Sequence, residues 1–348
     1  MLRRRVPARA RASGHPAREG GKTAQQQRLE VNTLLPSRPN CGLYLVEKFL
    51  GEGTYGKVAK CRNLTTNKEV AIKITKPSRR DSGLFELNAL AEITKLDADK
   101  YGLIKFLDWF EYRSHICIVY EMLDQSLYDF MYTRRHRPLS IHEIRTIARQ
   151  LLISLKGLKE INMAHCDIKP DNIMLVNQAS EPFRVKLIDF GLTKNPRDME
   201  TGTHMQNLCF RAPEVILGLP LDERVDMWTV GYTLAWLYRG FHIHPVDSDQ
   251  EVKFSRCCLS YDDLKNFYQD KTKTTEVELF IKLLRQMLEI DPDKRITPEE
   301  ALKHSFFTME QPSADSEKSN SQESTSEKGH SQAKKTTVPQ EPAAGKCF

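Results

Sequence analysis

Apolar and β-favouring residues dominate the stretch from 44 to 76, which predicts a run of strands: Tyr44 to Leu50, Val58 to Cys61, and a third carrying Val70-Ala71-Ile72-Lys73. A helix is then expected to begin near the capping pair Asp81-Ser82, with Phe85, Ala89, Ile93 and Leu96 recurring at helical spacing as its buried stripe. Ile116 to Met122 reads as an apolar strand running into a connector, Glu121-Met122-Leu123. Ile144, Ile147, Leu151, Leu152, Leu155 and Leu158 mark a long buried helix that delivers the chain to His165. The densest apolar run, Val230 to Tyr238, suits a buried helix, being far short of the roughly 18 residues a membrane span needs. Strands first and helices after predict an α+β protein.

At 348 residues the chain exceeds a typical single domain, and length by itself suggests two units. The eight cysteines are scattered without a C-x-x-C pair, so neither a zinc site nor a disulfide framework is indicated. Charge is uneven. Residues 1–30 hold eight Arg or Lys and two Glu, 8 − 2 = +6, which equals the net charge of the whole chain. Arg3-Arg4-Arg5 with Arg9 and Arg11 reads as a solvated disordered arm, an import signal, or a targeting peptide, and Pro7, Pro16 and the paired glycines break the apolar stripe a targeting peptide needs. From Pro312 the chain is rich in Ser, Thr, Lys, Glu and Gln, a composition that predicts disorder. The expected divisions are a basic arm over 1–43, a folded unit over 44–308 and a tail over 309–348.

Candidate chemistry sits in two aspartates, 22 residues apart. His165-Cys166-Asp167-Ile168-Lys169-Pro170-Asp171-Asn172 offers a carboxylate, a lysine two residues on and an amide five residues on. Such a loop can receive a hydroxyl proton, neutralise a phosphate and hold a magnesium ion. Asp189-Phe190-Gly191 supplies a harder ligand for the same metal. Upstream, Gly51-Glu52-Gly53-Thr54-Tyr55-Gly56-Lys57-Val58 follows Leu50 at the end of the first strand. A G-x-G-x-x-G run by itself also fits a dinucleotide fingerprint, but that version must open a helix. Here Thr54 and Tyr55 favour strand, and Lys73 arrives 17 residues after Gly56 on another strand.

Together these motifs resemble protein kinases, which implies an α+β, bilobal kinase-like fold with a β-rich N-lobe and a helical C-lobe sharing one cleft. The resemblance runs from about residue 44 to 308 and includes Arg211-Ala212-Pro213-Glu214, Asp226-Met227-Trp228-Thr229-Val230-Gly231 and Asp291-Pro292-Asp293-Lys294-Arg295, whose arginine is expected to pair with Glu214. Glu121 to Phe130, Asp167 to Val176, Phe183 to Asp189 and Ala212 to Pro220 are similar to the homeodomain-interacting protein kinases, neighbours of the dual-specificity tyrosine-regulated kinases. The resemblance implies ATP and Mg²⁺ as cofactors. Asp167 would accept the substrate proton, Lys169 would offset phosphate charge, and Lys73, held by Glu86, would grip the α and β phosphates. Glu92 is the competing partner for Lys73. Asn172 and Asp189 would bind magnesium. Leu50 to Val58 would cover the nucleotide, and the connector around Glu121 and Leu123 would hold the adenine.

The resemblance further implies serine or threonine hydroxyls of protein substrates, transcription-related ones among them, with dual specificity as an extension. It implies residence in the nucleus or cytoplasm, no direct nucleic-acid binding and no membrane; oligomeric state is left open. Three departures stand out. Cys166 replaces the arginine with which many kinases clamp a loop phosphate. His204 occupies the slot of the family's autophosphorylated tyrosine. The stretch from Gly240 to Glu276 is short, and its His242-Ile243-His244 lacks the acidic or cysteine partners of a metal site. The first two imply activity that does not await a phosphorylated loop. The alternative reading is a catalytically weak pseudokinase scaffold that binds nucleotide and protein partners.

Overall fold

The antiparallel run of strands folds into a six-stranded sheet of order β1-β2-β3-β4-β6-β5, with β1 Leu34–Pro36, β2 Leu43–Glu52, β3 Gly56–Asn63, β4 Glu69–Thr75, β5 Phe106–Tyr112 and β6 His115–Glu121. The computed structural model of the chain describes residues 29–37, 42–203, 205–242 and 274–308. The expectation of an arm without structure up to residue 43 fails for its last part. Leu35 is fully buried and β1 pairs with β2 at Leu35 to Tyr44. Burying one leucine contributes roughly 2 kcal/mol, enough to hold so short an edge strand in place.

The turn between β2 and β3 carries the glycine-rich segment, and β3 lies so close to β4 that a Cβ on Gly56 would stand 2.2 Å from the carbonyl oxygen of Ile74. Helix α1 spans Arg80–Ile93 and crosses behind the sheet. It starts before the expected cap: Arg79 occupies the cap without a side-chain hydrogen bond, because a 3₁₀ turn at Pro77–Arg79 already sets the direction. The expected stripe is also corrected. Phe85 is 42% exposed, and the face against the sheet is Gly83, Glu86, Ala89, Leu90 and Ile93.

The second lobe is helical. Helix α2, Leu127–Thr133, starts at Ser126, whose side chain accepts the Asp129 N–H. Helix α3, Ile141–Glu160, opens on a capping box of Ser140 and Glu143 and buries the predicted apolar face. Strands β7, Ile173–Asn177, and β8, Glu181–Leu187, form a small hairpin between the lobes. Beyond the short α4, Pro213–Ile216, helix α5, Arg224–Arg239, is buried on every side, which explains its dense apolar run. Helix α6 Thr274–Met287 packs against it, and α7 Pro298–Leu302 and α8 Ser305–Thr308 pack against α3. Residues 243–273, both terminal segments and His204 lie outside the described residues, and with them the readings made on the basic arm, the tail, His244 and the shortened stretch. Among the described residues no helix is long and apolar enough to cross a membrane.

Candidate active site

Lys73 projects from β4, a strand paired on both edges, so its backbone is rigidly held. Its ammonium lies 2.7 Å from Glu86 Oε2 and 2.8 Å from Asp189 Oδ1. Glu86, not Glu92, is therefore the helix partner; Glu92 is exposed and pairs with Lys95. The Glu86 carboxylate is almost fully buried, and its other oxygen, Oε1, accepts a hydrogen bond from the Tyr120 hydroxyl at 2.7 Å. Burial raises the Glu86 pKa, with Lys73 and Tyr120 pulling against that rise. At Lys73, burial favours the neutral amine, but the two carboxylates outweigh it and hold the lysine charged. Burial likewise opposes ionisation of Asp189, yet Lys73 and the Gly191 N–H bring its pKa below the ordinary value.

The loop at 165–172 is tied down from beneath. Asp226, at the start of α5, accepts the N–H groups of His165 at 2.6 Å and Cys166 at 2.9 Å. Those bonds support a left-handed backbone at Cys166, φ 65°, and Asp189 across the site is left-handed too, φ 61°. Non-glycine residues held there cost about 1–3 kcal/mol each and persist where surrounding structure over-determines them. His165 Nδ1 accepts the Asp167 N–H at 3.3 Å while Nε2 faces the Ile188 carbonyl at 2.9 Å, which places the ring proton on Nε2. The ring packs on Phe190 with centroids 5.1 Å apart. Asp167 Oδ2 then gathers two donors, Lys169 Nζ at 3.0 Å and Asn172 Nδ2 at 2.9 Å.

Three observations test whether these residues fit a nucleotide and a divalent ion. A Cβ added at Gly51 or Gly53 would meet nothing within 4 Å, so the backbone of the turn faces open space that phosphates can approach. The oxygen donors are hard and few: with Nδ2 of Asn172 spent on Asp167 and Oδ1 of Asp189 on Lys73, the oxygen of each side chain that remains suits a hydrated Mg²⁺. Among the described residues no group of three His, Cys, Asp or Glu forms an all-protein metal cage. Tyr55, Lys73, Thr75, Gly83, Asp167 and Asp189 line a small recess of about 40 Å³ beneath the turn. Tyr55 in that lining and Leu50 on β2 are exposed, Lys57 pairs with Glu52 at 3.1 Å, and Leu123 is buried within the connector.

Three contacts carry no signal in the local sequence. Tyr120 lies in a run of apolar strand residues. Asp226 opens a helix motif. Lys186, on β8, is buried and bridges Asp99 at 2.8 Å and Glu121 at 2.6 Å, fastening the connector to the lower lobe. The Glu121 side chain is thus committed to the back of the connector. Nothing local signalled this except a lysine set between Val185 and Leu187, both buried.

Glycine-rich hairpin, strand lysine with its helix glutamate, and paired aspartate loops together are the cleft of a protein kinase. The chain belongs to that family: the protein kinase domain matches residues 44–307. It resembles the homeodomain-interacting kinases in particular. It is 34% identical to homeodomain-interacting protein kinase 2 of Mesocricetus auratus, over 76% of this chain and 28% of that protein. Homeodomain-interacting protein kinase 4 of Mus musculus is 38% identical over 62% of this chain and 36% of that protein. The DYRK-family kinase pom1 of Schizosaccharomyces pombe is 32% identical over 77% and 28%. The chain thus spans about three-tenths of the length of the curated relatives it matches.

Proposed function

We propose that the protein transfers the terminal phosphoryl group of Mg-ATP to serine or threonine hydroxyls of protein substrates. The observation that carries this reading is Lys73 bridging Glu86 and Asp189, residues from three separate stretches, beside an Asp167 held by Lys169 and Asn172. When bound, Mg-ATP supplies the phosphoryl group and the charge that binds it to the cleft. Asp167 orients the acceptor hydroxyl and takes its proton. Lys169, already beside that carboxylate, neutralises charge developing on the transferred group. Asn172 and Asp189 would hold the metal through their side-chain oxygens, and Lys73 would grip the inner phosphates. Threonine and serine specificity is supported by Lys169 in the D-x-K-P-x-N loop.

The decisive assay incubates the purified chain with labelled ATP, magnesium and a generic basic protein, alongside Asp167→Asn. Loss of the proton acceptor is expected to lower the rate about 10²- to 10⁴-fold. Equal background from both proteins would leave a scaffold as the reading.

Activity is also proposed to be independent of activation-segment phosphorylation. Cys166 is a buried thiol and offers no cation to a loop phosphate. Thr193 is buried, and its hydroxyl donates to the His165 carbonyl at 3.2 Å, which removes it from the candidate switches; Thr201 is exposed. Protein made in bacteria and treated with phosphatase is expected to keep most of its activity, and a large drop would assign a switch to Thr201 or Thr203. The relatives' name and the basic arm support transcription-related substrates and nuclear residence as proposals. A reporter fused to residues 1–30 that stays cytoplasmic would remove the second.

A further inference from the structure

Glu86 is held by a fork. One oxygen faces Lys73 on β4, the other the Tyr120 hydroxyl on β6. One helical turn earlier, Gly83 leaves no room for a side chain: an added Cβ would stand 2.7 Å from Thr75 Cγ2 and 2.9 Å from Ile116 Cβ. Positions 83 and 86 share one face of α1. The helix therefore touches the sheet directly at one point and through a buried hydrogen bond at the next.

We propose that Tyr120 is a positioning residue, whose hydroxyl fixes the Glu86 carboxylate and thereby Lys73, so that α1 is docked by the fold itself. The proposal rests on the kinase reading above and extends it to the way the site stays assembled.

The chemistry favours a directed role over incidental packing. Tyr120 is 6% exposed, and a phenylalanine would bury the same ring with no polar atom to satisfy. Without the hydroxyl, Glu86 Oε1 would be a carboxylate oxygen buried with no donor, and an unmade hydrogen bond to a charged group is costly. The freed carboxylate could rotate off Lys73, and Lys73 would then turn wholly to Asp189, the side chain needed for metal. Tyr120 thus keeps the lysine shared between its two carboxylates.

The test is a double-mutant cycle on the full chain with Tyr120→Phe, Glu86→Gln and the pair, measuring kcat, KM for ATP and melting temperature. Tyr120→Phe is expected to lower kcat/KM for ATP about three- to tenfold. Its melting temperature should stay within about 4 °C of wild type. In the Glu86→Gln background the same substitution should change kcat/KM by less than about twofold, because the hydroxyl no longer has a charged partner to orient. Unchanged kcat/KM in Tyr120→Phe, or an equal loss in both backgrounds, overturns the positioning role. Wild-type turnover that Asp167→Asn abolishes keeps that failure separate from failure of the kinase reading. Absence of such turnover sinks both.

Discussion

At the scale of single residues, burial decides which groups can react. Burial pushes the Cys61 and Cys117 thiols up to about 12, reinforced by Glu47 at the first and by Cys61 at the second. Cys166 is likewise raised, by burial and then by the Asp226 carboxylate. The thiolate fraction of Cys61 and Cys117 at pH 8 is then on the order of one in ten thousand. Brief alkylation of native protein at pH 8 is expected to leave Cys61, Cys117 and Cys166 unmodified by peptide mapping, and to label all three after denaturation. Native labelling of Cys166 would contradict its place beneath the activation segment. The sign of the pH dependence follows. Below the ordinary thiol pKa both folded and unfolded chains keep these protons. As pH rises beyond about 8.5 the unfolded chain gives them up first, so these thiols favour unfolding progressively until about pH 12. A melting temperature that climbed over that range would count against it.

At the scale of elements, the glycines of the β2–β3 turn divide by what stands above them. Gly56 packs against the Ile74 carbonyl, so Gly56→Ala is expected to destabilise the fold by about 1–3 kcal/mol, seen as a lower melting temperature without ligand. Gly53→Ala meets open space; it should melt like wild type alone and lose most of the stabilisation that Mg-ATP confers. Equal melting of both variants without ligand would dissolve the distinction. The predicted strands and the long α3 were legible because their apolar residues follow one period. Helix α1 was not. Its inner face keeps Ala89 and Ile93 of the expected stripe but adds Gly83, Glu86 and Leu90, while Phe85 points out, so a count of apolar positions found the face only in part.

At the scale of the molecule, Glu214 and Arg295 join the end of the activation segment to the base of the lower lobe. Arg295 makes a bidentate pair, 2.6 and 2.9 Å, and also donates to the carbonyls of Glu289 and Arg224. Both side chains are buried, so Glu214→Gln leaves a cation without its anion and should cost about 3–5 kcal/mol in urea unfolding at neutral pH. Adding Arg295→Met should recover part of that loss. An unchanged unfolding midpoint in the single variant would show the pair to be dispensable.

The sequence by itself determined that Asp167, Lys169 and Asn172 come together in the 165–172 loop, because residues two and five apart on one tight segment are juxtaposed by local backbone geometry. It also determined the kinase class, since the order and spacing of the motifs carry it. Tertiary structure alone decided that Lys73 meets Asp189 from 116 residues away, that Glu86 and not Glu92 completes the pair, that Tyr120 and Lys186 meet carboxylates, and that Asp226 accepts the N–H groups beneath the loop. Contacts of that range depend on which faces the lobes bury against one another, and no period along the chain encodes them.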